Sequence, residues 1–80
     1  MFFLLHYDRK EGRLVSTRFF LDGEIVAASA AKLDLEISLV GSDGNNEIVL
    51  FEAQSEDDLR KTHRRYFSTL EELKENDRRN

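Results

Sequence analysis

His6 and Asp8 stand two residues apart at the end of the apolar run Phe2-Phe-Leu-Leu-His-Tyr7. On a strand that spacing puts both side chains on one face, where an imidazole and a carboxylate together hold a metal ion or orient a base. The ordinary alternative is a strand-end histidine followed by an aspartate that bonds its own backbone and starts a turn. His63 is the second candidate. It lies within Thr62-His-Arg-Arg-Tyr-Phe67, where it reads either as a proton carrier or as a phosphate contact beside two arginines. A single histidine without a placed partner defines no catalytic geometry, so the weight falls on a half-buried packing role.

Arg60, Lys61, Arg64 and Arg65 put four positive charges into six residues, with Tyr66 and Phe67 adjoining as stacking groups. A helix that enters a nucleic-acid groove presents such a face. A solvated face presents it too. Glu56 precedes Arg60 by four residues and Asp57 precedes Lys61 by four, the spacing of helical ion pairs. Arg60 and Arg64, and Lys61 and Arg65, repeat that spacing with like charges, a mild cost that nearby acids or an anionic ligand relieve. Charge runs of this kind more often stay solvated or paired within the chain.

Asp43, Asn45 and Glu47 imitate the first three ligand positions of a calcium loop. The imitation fails at its sixth position, Ile48 in place of glycine, and at its twelfth, Gln54 in place of glutamate. A turn is the better reading. The chain carries no glycine-rich phosphate loop, no His-Glu-x-x-His and no nucleophile elbow. Non-enzymatic function is therefore expected, with no cofactor and no metal.

The elements that must position these groups follow from the apolar pattern. Phe2 to Tyr7 suits a strand buried on both faces. Asp8 to Gly12 reads as a hairpin turn into an edge strand over Arg13 to Leu21, with Val15, Thr17, Phe19 and Leu21 on one face and Leu14, Ser16, Arg18 and Phe20 on the other. Asp22 serves as the N-cap of a helix that runs to about Leu39. Residues 33–39 also alternate like a strand, but the alanine-rich start favours helix. The loop Gly41-Ser-Asp-Gly-Asn-Asn46 then leads into a third buried strand, Ile48 to Phe51. Ser55 caps the last helix, whose inward face is Leu59, Thr62 and His63, Tyr66, Leu70 and Leu73; a second capping box at Ser68 predicts a break near Phe67.

The order is ββαβα, and the expected fold is a small α+β domain over residues 1–75 with a polar, frayed tail at 76–80. Its three-stranded, mainly antiparallel sheet takes the order 2-1-3 with a right-handed crossover. The first helix carries two apolar stripes. Val26, Ala30, Leu33, Ile37 and Val40 are assigned to the core, and Ala28, Ala31, Leu35 and Leu39 to an interface with a second chain. Both faces of the sheet are apolar as well. Two helices on one face would leave the other to a partner, whereas helices on opposite faces close a monomer; the two-sided helix favours the first arrangement and a homodimer.

Composition bounds the rest. Eighty residues hold one small core, and the absence of cysteine removes disulfides, thiolate metal sites and thiol nucleophiles. A net charge of −4 argues against binding nucleic acid over the whole surface. Residues 1–6 lack a basic leader and meet charge at Asp8, so neither a signal peptide nor a membrane span is expected and the chain is read as cytoplasmic. The functional expectation is a regulatory or accessory module that acts as a homodimer or with a protein partner, with nucleic-acid binding by Arg60, Lys61, Arg64, Arg65 and Tyr66 as the alternative.

Overall fold

A computed structural model of the chain describes residues 1–67. Leu70, Leu73, the Ser68 capping box, the domain end at 75 and the tail at 76–80 lie outside the described residues. Strand β1 (Phe2–Asp8) and strand β2 (Arg13–Phe20) form a hairpin, helix α1 (Ile25–Ser38) crosses to strand β3 (Asn46–Glu52), and helix α2 (Glu56–Thr62) follows. Both strand pairings are antiparallel and the sheet order is β2-β1-β3. The domain is thus α+β in the expected order, and residues 33–38 are helical.

The hairpin turn is built by its aspartate. Asp8 Oδ1 accepts the N–H groups of Lys10 at 2.9 Å and Glu11 at 3.1 Å, and Gly12 closes the turn at φ 67°, a conformation that costs glycine nothing. A bulge in β2 then changes its face assignment. His6 pairs with Ser16 but Tyr7 pairs with Leu14, so Val15 is the extra residue and Leu14 turns to the face of Tyr7. Leu14 therefore joins Phe19 and not Phe20.

Because side chains alternate along β1, the sheet has two apolar faces and builds two cores. Phe3, Leu5 and Tyr7 meet Leu59 and Tyr66 on one face, with Val49 and Phe51 contributing from β3. Leu4 and Phe20 meet Ala28 on the other, flanked by Phe2, Ala31, Leu35, Ile48 and Leu50. The helices lie on opposite faces of the sheet, so the expected arrangement of both helices on one face is corrected. Phe19, on the face of α2, stays 51% exposed.

The two stripes of α1 are also reversed. Ala28, Ala31 and Leu35 face the sheet, and Ala28 is fully buried. Val26 is 81% exposed, Leu33 57%, Ile37 60% and Val40 81%. Both stripes have helical spacing, so periodicity alone has no sign. Alanine decides it: small side chains let the helix backbone sit close to the bulky Leu4 and Phe20, whereas Leu33 and Ile37 would hold it away.

Two helix ends differ from expectation. Asp22 does not cap α1; residues 22–24 form a 3₁₀ turn, and the Glu24 carboxylate reaches back to the Leu21 N–H at 2.7 Å. Helix α2 stops at Thr62, short of Phe67, and continues as a 3₁₀ turn at Arg64–Tyr66. Continuing the α-helix would stack Arg60 on Arg64 and Lys61 on Arg65, while the tighter turn aims Arg65 and Tyr66 at β3.

Candidate functional site

The sequence candidates resolve into bonds that hold the fold. His6 Nε2 lies 2.8 Å from Asn46 Oδ1, a link from β1 to β3, while the Asp8 carboxylate is taken up by its own turn. His6 and Asp8 share a face without sharing a ligand geometry. His63 caps the end of α2, and its ring stacks on Phe51 with centroids 3.8 Å apart. That contact anchors the end of α2 to the sheet. Among the described residues no cluster of histidines and acids is arranged to hold a metal ion.

The calcium-like string separates in the same way. Asp43 Oδ1 accepts the Asn45 N–H at 3.1 Å inside the loop, where Gly41 and Gly44 adopt φ 89° and 79°. The Asn45 backbone N–H, helped by the Asn45 side chain, keeps the Asp43 carboxyl below its ordinary range. Glu47 belongs to a different cluster, on the face where α2 lies.

That cluster is a polar network, among the described residues, that the sequence did not disclose. Glu47, with 16% of its side chain exposed, receives Arg65 Nη2 at 2.8 and 2.7 Å on its two oxygens and the Tyr66 hydroxyl at 2.8 Å. Arg9 Nε stands 3.5 Å away, and the Arg65 guanidinium lies 4.6 Å from the centre of the Tyr66 ring. Burial alone would push the Glu47 carboxyl up. The Tyr66 bond and the charges of Arg65 and Arg9 outweigh it and leave the carboxyl below its ordinary range. Burial and the bond to Glu47 push the Tyr66 hydroxyl up, and the Tyr66 bond holds Arg65 charged. The arrangement clamps the 3₁₀ turn to β3; its spacing of 18 and 19 residues leaves no local sequence signal.

Two further members of the basic face are engaged as well. Arg60 pairs with Glu56 and Lys61 with Asp57, each at 3.1 Å, and Arg60 also lies 4.8 Å from the Phe67 ring centre. Arg64 is exposed. The helical ion pairs are those expected from the spacing, and Tyr66 is turned inward to the clamp, away from any stacking surface.

Among the described residues two open recesses stand out. One, of about 470 Å³, is rimmed by Asp22, Glu52, Gln54 and Asp58; the other, of about 380 Å³, lies between Leu39 and Ile48. Neither contains a histidine or a member of the basic cluster. Leu39, assigned to an interface by sequence, is half-buried there at the end of α1.

Exposed large apolar side chains lie along β2 and just after it, at Val15, Phe19 and Leu21, and on the outer stripe of α1, Val26, Ala30, Leu33 and Ile37, which Val40 extends in the turn after the helix. No family model, curated protein or solved structure matches this chain. No described helix is long and apolar enough to cross a membrane.

Proposed function

We propose that this chain is a self-associating interaction module without catalytic chemistry of its own, and that a second copy docks on the outer stripe of α1. The observation that carries the reading is the reversal of the helix stripes. Three large aliphatic side chains, Val26, Leu33 and Ile37, each more than half exposed, line one side of a helix whose other side is already packed on the sheet, and Val40 follows in the turn after it. Monomeric domains rarely leave such a contiguous row in water, and twofold pairing is the commonest way to bury one. The partner surface thus moves from Ala28, Ala31 and Leu35 to Val26, Leu33 and Ile37. The structural roles of His6, Asp8 and His63 support the non-enzymatic part of the reading.

Helix α1 is about 21 Å long, so a contact made by it alone falls near the small end of specific interfaces, which begin at roughly 1,200 Å². Association is therefore expected to be reversible on dilution. Light scattering across a dilution series in the micromolar range is expected to show the mass rising from one chain toward two. Ile37→Lys is expected to hold it at one chain without loss of the folded circular dichroism signal. A single chain at high micromolar concentration defeats the reading.

The alternative, nucleic-acid binding by the basic face, is less well supported. Arg60, Lys61 and Arg65 already pair with Glu56, Asp57 and Glu47, and an incoming phosphate would have to displace those acids.

A further inference from the structure

The outer stripe of α1 has a spacing that selects one way of pairing two copies. Within α1, Val26, Ala30, Leu33 and Ile37 follow one another at intervals of four, three and four residues, the seam of two helices packed side by side. Resting on the self-association reading above, we propose that two copies pair their α1 helices antiparallel about a twofold axis between Ala30 and Leu33. In that register Ala30 of each copy faces Leu33 of the other, and Val26 faces Ile37.

Three observations favour this arrangement. The first is size. A parallel, in-register pair stacks Ala30 on Ala30 and leaves a gap between two bulky layers, whereas the antiparallel pair sets the small residue against the large one. The second is charge. Asp34 and Glu36 flank the stripe in its C-terminal half, with Lys32 paired to Glu36 at 3.0 Å. A parallel pair gathers both copies' acids beside both negative helix ends; the antiparallel pair sets Asp34 across from the partner's uncharged Ala27 flank and Glu36 across from its Ser29 flank. The third is access. Phe67, the last described residue, packs on the opposite face of the sheet against the core of Phe3, Leu5 and Tyr7, and no described element covers the stripe.

Single-cysteine variants test the geometry, because the chain has no cysteine of its own. Val26→Cys and Ile37→Cys sit on exposed positions, so both variants are expected to fold. A tagged Val26→Cys protein is mixed with untagged Ile37→Cys protein and oxidised, and the products are separated by size. The antiparallel pair gives the Val26–Ile37 disulfide as the main product. It gives no Val26–Val26 product, since those positions stand eleven residues, about 16 Å, apart along the helices and a disulfide needs Cα atoms within about 7 Å. A Val26–Val26 product overturns the antiparallel pairing and leaves self-association through α1 standing. A dimer by light scattering with neither product overturns the use of this stripe, and a strict monomer overturns the underlying reading with it.

Discussion

The Tyr66 hydroxyl donates to Glu47 Oε1 at 2.8 Å and so ties the turn after α2 to a strand 19 residues earlier. The bond asks two things of pH. Glu47 must be ionised to accept it, and Tyr66 must keep its proton to give it. The folded Glu47 carboxyl titrates below its ordinary value of 4.5, so its contribution is complete above that value and is lost as pH falls through the lowered one. The folded Tyr66 hydroxyl titrates above 10.0, so its contribution is complete below that value and is lost as pH rises through the raised one. Thermal midpoints measured across pH are expected to form a plateau with an acid and an alkaline limb. Glu47→Gln should make the acid limb shallower, and Tyr66→Phe the alkaline one. Unchanged limbs in both variants would show that the clamp does not couple to folding.

Arg64 and Arg65 are neighbours with different duties. Arg65 holds both oxygens of Glu47, whereas Arg64 is exposed. Arg65→Glu puts a second carboxylate beside a half-shielded one and is expected to cost about 1–3 kcal/mol in denaturant unfolding. Arg64→Glu is expected to stay within about 0.5 kcal/mol of the parent. A nucleic-acid surface would behave otherwise. It would lose affinity to a similar degree with either change and show a steep dependence on salt, which fluorescence anisotropy with mixed DNA and RNA at low salt would detect.

Ala28 and Ala30 are two residues apart and on opposite sides of α1, one fully buried and one exposed. Ala28→Leu forces a branched side chain between the helix and Leu4 or Phe20, and the expected loss is about 1–3 kcal/mol. Ala30→Leu adds its atoms in water and should leave the unfolding free energy of the dilute protein nearly unchanged. Equal losses at both positions would contradict the inward direction assigned to Ala28.

The order of elements and the central place of β1 were legible because they rest on blocks: two continuous apolar runs, one polar turn ending in Gly12, one glycine-rich loop and a capped start at Ser55. The direction of α1 was not. Its two stripes are both helical, and the larger residues drew the core assignment although close packing on a sheet rewards the smaller ones. The bulge at Val15 was equally hidden, since one unpaired residue moves Leu14 to the other face without changing the alternation around it. Of the candidate site, the pairs Glu56–Arg60 and Asp57–Lys61 were readable from their spacing of four. Glu47 was read with Asp43 and Asn45, its neighbours in sequence, and its partners Arg65 and Tyr66 come together with it only when α2 lies on the sheet.

Ser55 and Leu59 hold α2 in place by different means. The Ser55 hydroxyl accepts the Asp58 N–H at 3.0 Å, closing the first turn of a seven-residue helix too short to persist alone. Leu59, fully buried, fixes that helix to Phe3, Leu5 and Tyr7. Ser55→Ala is expected to cost about 0.5–2 kcal/mol. Leu59→Ala should cost about 2–5 kcal/mol, because it removes transfer energy and leaves a cavity that a rigid sheet cannot collapse to fill. A domain of this size holds only about 4–12 kcal/mol in all, so the second change takes a large share of it. Urea unfolding followed by tyrosine fluorescence checks the order. If tertiary packing carries the helix, Leu59→Ala loses more than Ser55→Ala; the reverse order would mean that local capping holds α2 and that the clamp at Glu47 can form without the Leu59 core.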